Sequence, residues 1–290
     1  MANYSFIKDA KVYLVSGTEQ VLLDISNVSF SQTFTETSYP VKTLHNQSMF
    51  EGSVINKANP ANFDLTIPAL LEADLRVLFD KLLDYSSFDL YITTQQDIFR
   101  LETSVITNGT FLIDRVRPLS LTVSGEASKL STVAALPYTT IGRSVTRTYN
   151  TSGLTILLDS VHLDTDVATV SVEVQNEVSW NPWVSVHSGV LGEISYPSTY
   201  TISKRILSGN ISRHLNTDNS SSLNTSSSNS TLNIKVGQNI LGTFYGFEFD
   251  IASCSYTNRL QTGGIFKQSY DWRMTQNPTS LSDVITYTTL

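Results

Sequence analysis

The sequence predicts a mainly β protein: two tandem β-sandwich domains, the first flanked by one α-helix. The first observation behind this is alternation. Apolar and polar residues exchange with a period of two in many short stretches. The second is composition: aromatic residues make up 10% of 290 residues, and Ser and Thr are abundant, as half-buried strands prefer. The third is a single long helical period, Pro68–Tyr85, with a similar order of strand-like segments on either side of it.

Taken in order, Ala10–Val15 reads as a strand closed by Ser16–Gly17. Val21–Thr35 reads as a second, with a phase slip between Ile25 and Val28 that predicts a bulge. Ser29, Ser31 and Thr33 lie on its polar face. Glu36–Pro60 is long, polar and Asn/Ser-rich, and a segment of that length is a protruding hairpin or a functional loop. Its apolar residues are Met49, Phe50, Val54 and Ile55. Phe63, Leu65 and Ile67 alternate cleanly before the helix.

In the helix Leu71, Leu75, Leu78, Leu82 and Tyr85 fall on one face. Pro68 suits a first turn, where a missing N–H costs nothing. Leu70, Val77 and Phe79 lie off that face, so the helix is expected to be buried on more than one side. Phe88–Thr93 alternates again, and Asn108–Gly109 is a hairpin signal. Ser120, Thr122 and Ser124 face away from Leu119, Leu121 and Val123 in the strand pattern that follows.

Residues 1–136 form the first expected domain, with its helix at 68–85, and 137–149, with Pro137 and Gly142, form a linker. The pattern then restarts over 150–290. Asn27-Val28-Ser29-Phe30 lines up with Glu177-Val178-Ser179-Trp180. Ile211 and Leu215 echo Phe63 and Ile67, and Leu232, Ile234 and Val236 echo Phe88, Leu90 and Ile92. A second long polar segment spans Asn181–Lys204. Element order carries the repeat, because the letters barely recur. Where the first half has its helix, the second has a Ser/Asn-rich tract, 215–231. Its low hydrophobicity cannot offset the entropy of ordering, so a mobile loop is expected there.

Chemistry is sparse. The net charge of −7 argues against a sequence-reading nucleic-acid binder. The lone Cys254 excludes an internal disulfide and reads as a buried small hydrophobe. His45, His162, His187 and His214 lack partners at metal-ligand spacing. Nucleophile elbow, P-loop and dinucleotide fingerprints are missing. No enzymatic activity, metal or cofactor is expected. Neither a secretory leader nor a membrane span is legible, which points to synthesis in a cytoplasm.

The layout is strand, strand, long polar loop, strand, helix, then a sheet-completing pair. It resembles the tail tube proteins of tailed bacteriophages, in the version with two fused tube domains. The resemblance is carried by Ile25–Phe30 with its following loop, by Pro68–Tyr85, and by Phe249–Tyr256 with Gly264–Arg273. It implies a virion structural protein made in the host cytoplasm. Three chains would form a homotrimeric, pseudo-six-fold ring, and stacked rings would make a hollow tube that conducts viral DNA. Tail terminator, tape measure and baseplate proteins would be its partners, and double-stranded DNA would pass without specific contact. A distal-tail or terminator ring, or a carbohydrate-binding β-sandwich, is the alternative.

The resemblance also implies roles for residues. Met49, Phe50, Val54 and Ile55 would meet the next ring, and Leu70, Val77 and Phe79 a neighbouring subunit. Ser29, Ser31, Thr33, Ser120, Thr122 and Ser124 would line the channel, because Lys or Arg there would bind phosphates and stall transit.

Overall fold

A computed structural model describes residues 9–42, 47–68, 76–114, 119–142, 153–163, 165–181, 193–219, 225–276 and 280–288, with the backbone alone given at 40–42, 47–51 and 76. The hairpin β1 (Lys11–Ser16) and β2 (Glu19–Leu23) turns at Gly17, whose φ of 59° suits glycine. Strand β3 (Asn27–Ser31) then pairs with a different sheet from β2. The phase slip before Val28 is therefore a crossing between sheets, not a bulge. Strands β4 (Phe34–Lys42) and β5 (Gln47–Ala58) form a two-stranded sheet of their own, a protruding hairpin.

Strand β6 (Ala61–Ile67) returns to the core with strict alternation, Phe63, Leu65 and Ile67 inward. The described part of the helix, α1, is Arg76–Asp84. Leu78 and Leu82 are fully buried, as the helical face requires, and Val77 and Phe79 are nearly so. Tyr85 lies just past the helix end at φ 54° and is 45% exposed, so it leaves the buried face. Leu70 lies outside the described residues.

Strand β7 (Phe88–Thr93) leads to β8 (Ile98–Asp114), a 17-residue strand. It runs straight through Asn108–Gly109, where the dipeptide predicts a turn. Glycine is present for another reason: a Cβ on Gly109 would come within 2.6 Å of a Leu82 methyl. The position makes room for the helix. Strands β9 (Ser120–Ala127), β10 (Lys129–Val133) and β11 (Thr140–Ile141) complete the first half. Strand β11 lies in the expected linker yet pairs with β2, and Gln20 bonds Tyr138 and Thr140, so the start of that linker is tied to the first half.

The second half comprises β12 (Gly153–Leu158), β13 (Val161–His162), β14 (Val167–Trp180), β15 (Tyr200–His214), β16 (Ser226–Ile240), β17 (Thr243–Gln261), β18 (Lys267–Met274) and β19 (Ile285–Thr288). Its strand order matches the first. One sheet runs β3–β6–β9–β8 in the first half and β14–β15–β18–β17 in the second. The covering sheet runs β2–β1–β7–β8–β10 and β13–β12–β16–β17–β19. The long strands β8 and β17 serve both layers. The two halves are also merged, because β8 pairs with β14 from Asn108–Gln175 to Asp114–Thr169.

Counted from the closing hairpins, Leu112–Ser120 and Gln261–Lys267, the inner sheets superpose strand on strand. Val28 then corresponds to Val170, not Val178, and Phe63 to Gly209, not Ile211. The sequence alignment slipped because letters barely recur and bulges change the count. The structural match exposes an exchange. In the first half Phe63 faces Gly125, and a Cβ there would lie 2.2 Å from its ring. In the second, Gly209 faces Trp272, and a Cβ would lie 2.7 Å from the indole. One aromatic ring fills the same layer from opposite strands.

A second exchange lies where the first half places its helix. Ile67, Leu121 and Val123 are buried in the first half. Their counterparts Arg213, Gln268 and Tyr270 are buried too. Arg213 donates to Gln268 Oε1 (2.6 Å) and to the Tyr270 hydroxyl (3.1 Å), and Gln268 donates to the Asn219 carbonyl. Asn219 in turn donates to the His214 carbonyl. A polar network thus holds a turn at 214–219, after β15, as apolar packing holds α1 after β6. The Ser/Asn tract is accordingly not one loop: it has this turn, then strand from Ser226, while 220–224 lie outside the described residues. Arg213→Ala is expected to lower stability by about 2–3 kcal/mol, because it removes two buried hydrogen bonds from a charged donor; urea unfolding measures it.

Candidate functional site

The boundary between the halves is built by helix α1 and the continuous sheet. Phe79 packs edge-on against Phe247 (5.4 Å) and Tyr287 (5.8 Å), both from the second half. Phe111 of β8 reaches Phe247 and Phe249. Arg205 of β15 donates to the Leu83 carbonyl at the helix C-terminus (3.2 Å) and to Asn176 (3.0 Å), and its guanidinium sits 3.7 Å from the Tyr85 ring centre. Burial pulls its pKa below the ordinary arginine value. A cation from one half thereby caps the helix of the other. Val77 and Phe79 are thus buried within one chain, at the junction of its two halves.

The merged sheet has one apolar and one polar face. A single row crosses it: Asn27, Thr66, Thr122, Thr110, Glu173, Ser208, Arg273 and Ser255 are consecutive partners. The next row begins Ser29, Asp64, Ser124, Asn108, Gln175. Ser29 and Ser124 both donate to Asp64. Of the residues expected in a channel, Ser29, Ser31, Thr33 and Thr122 are exposed, and Ser120 and Ser124 partly so. Ser29, Ser31, Ser120, Thr122 and Ser124 share the polar face with the acids Asp64, Asp114, Glu126, Glu173, Glu177 and Asp271, and with Lys204, Arg259, Lys267 and Arg273.

This sheet has two ends. At one, β3 pairs with β6 alone among the described residues. At the other, Arg259–Gln261 of β17 pair with β18 alone among the described residues. Sequence patterning marks both strands, but edge position depends on topology, which no local pattern encodes. Apolar side chains lie exposed nearby: Leu260 (40%), Ile265 (64%) and Phe266 (54%). Phe30 and Phe99, in contact at 5.4 Å, are only partly buried at the β3 end.

The β4–β5 hairpin exposes Phe34, Tyr39 and Ile55, while Val54 is half-buried. The side chains of Met49 and Phe50 lie outside the described residues. The second polar segment reaches the hairpin base, where Ser195 exchanges backbone bonds with Asn56 and Ala58 (both 2.9 Å), and Lys129 lies 4.8 Å over the Tyr196 ring. Burial pushes the Cys254 thiol up to about 11, away from thiolate chemistry. No group of three His, Cys, Asp or Glu residues that could hold a metal occurs among the described residues, and none of their helices is long and apolar enough to cross a membrane.

Fold and site define a class: tandem β-sandwiches merged through one sheet whose end strands have, among the described residues, a partner on one side only. A family model described as the Bacteriophage Baseplate Tube Protein Family matches residues 2–83 and 75–288. The chain belongs to that family and is a structural component of the phage tail. No curated protein matches it.

Proposed function

We propose that the chain is a ring subunit of the tube. Copies join head to tail, with Arg259–Gln261 of one chain pairing with β3 of the next. The observation that carries this reading is the β8–β14 junction, which already makes that contact once inside each chain. Transferring its register places Leu260 opposite Phe30, as Phe111 stands opposite Val172. Both side chains then leave solvent on the apolar face.

A heterologous contact of this kind closes when its rotation divides the circle. Three chains of duplicated domains give a pseudo-six-fold barrel without free edges, and closure removes the aggregation hazard of open strands. The polar face then lines a channel through which DNA passes with little to hold it, since its acids disfavour phosphate binding. Rings stack through the β4–β5 hairpin, and the tube connects to the tape measure, terminator and other baseplate proteins. The variant Phe30→Cys with Leu260→Cys should give disulfide-linked trimers on oxidation, read by native mass. A ring of six chains would end the duplicated-domain reading. Absence of any linked species would end the edge-pairing reading.

Replacing Phe34 and Ile55 by Ser should leave closed rings that fail to stack, because both side chains are solvent-exposed on the hairpin. Electron microscopy of the variant checks this, and tubes of normal length would remove the hairpin from the stacking contact.

A further inference from the structure

The two long strands differ on the side where a neighbour binds. Beside β8, the preceding strand β7 starts only at Phe88, opposite Ser104, and the edge beyond Asn108 is free to take β14. Beside β17, strand β16 starts earlier, and its Ser226, Ser227 and Ser230 pair with Thr257, Tyr256 and Cys254. The Asn258 N–H donates to the Thr225 carbonyl (2.8 Å). In the transferred register Thr257 and Asn258 correspond to Asn108 and Gly109. They are the first two positions that an incoming strand would claim, through its Thr33 and Gln32. The tract and the next chain cannot both hold them.

The tract is also loosely held. Residues Ser226–Thr231 contain no apolar side chain, and the register slips twice, between Ser227 and Ser230 and between Ser230 and Leu232. Ser226, Ser228 and Asn229 are exposed. An open surface cavity of about 670 Å³ is lined in part by Ser226–Ser228, Tyr256 and Trp272. Backbone bonds are the main attachment, and exposed ones are individually weak.

On the ring reading, we propose that Thr225–Ser230 is a displaceable edge strand. It shields the assembling edge of the free chain, and its first residues peel away when a second copy of this chain docks. Such a cover blunts an open edge while keeping it available. It also adds a strand-exchange step to ring closure. The second half has therefore given up helix-like packing at this place for a segment that can let go.

The test uses the full chain with Cys254→Ser. Ser227→Pro removes a tract N–H directed at β17, and association should then begin at about fivefold lower concentration, the factor for roughly one exposed bond no longer exchanged. Ser226→Cys with Thr257→Cys joins facing positions. Oxidised, this variant should stay monomeric; reduced, it should assemble like the parent. Thermal unfolding monitors folding of each form. An oxidised variant that assembles normally, or a proline variant that associates less readily, overturns the shielding role while rings persist in the parent. Failure of the parent itself to form the Phe30→Cys, Leu260→Cys linkage overturns the ring reading, and this inference with it.

Discussion

Leu260→Pro is expected to yield a folded chain that no longer associates. The reason lies in the alternation of backbone donors. Asn258 sends its N–H away from β18, toward Thr225. Two residues on, Leu260 does the same, so its N–H points away from β18. Proline at 260 removes a donor that has no partner among the described residues and that, on the ring reading, serves the incoming strand. The Leu260 side chain, 40% exposed in one chain, is lost from the contact with Phe30 at the same time. Arg259→Pro is the control: it removes an N–H directed at β18 and should unfold the hairpin. Sedimentation of Leu260→Pro should show monomer at concentrations at least about a hundredfold above those at which the parent forms rings, which corresponds to two to three lost contacts of about 1 kcal/mol each. Rings from a folded Leu260→Pro chain would move the assembly contact elsewhere.

Phe79→Ala is expected to have the largest effect on the chain itself. Phe79 is 7% exposed and closes an aromatic cluster across the two halves, with Phe247 and Tyr287 stacked at 4.4 Å. Truncating a buried phenylalanine costs about 3–5 kcal/mol. Here the loss falls on the junction, so calorimetry should resolve one transition into two. Tyr287→Ala should act through the same cluster, and the double variant should lose less than the sum of the two. Additive losses would show that helix and second half are not coupled through this cluster.

Much of the fold is legible in the sequence because it is local. Alternation marks Phe63–Ile67 and Phe88–Thr93, and a 3.6-residue period marks the helix. The misreadings share another cause: they concern what a residue meets at long range. Gly109 resembles a turn residue until Leu82 is set against it. Ile25–Val28 resembles a bulge until its flanks prove to belong to different sheets. The Ser/Asn tract is too polar to predict as strand, and it becomes strand only because β17 offers it an edge. The aromatic position Phe79 could be flagged as apolar surplus from its spacing. The partners of such residues could not, since Phe247 and Phe99 are brought near by topology.

The reciprocal placement of Phe63 over Gly125 and Trp272 over Gly209 bears on ancestry. If the halves descend from one unit, the ring moved at some time from one strand to the other. A second ring arriving first would have met atoms within 3 Å. The existing ring leaving first would have left a void costing about 3–5 kcal/mol. Neither single step is open to a marginally stable domain. The passable route runs through side chains of intermediate size on both strands, each change small enough for the core to absorb. Relatives that carry such middling pairs at these positions would be the living record of that route.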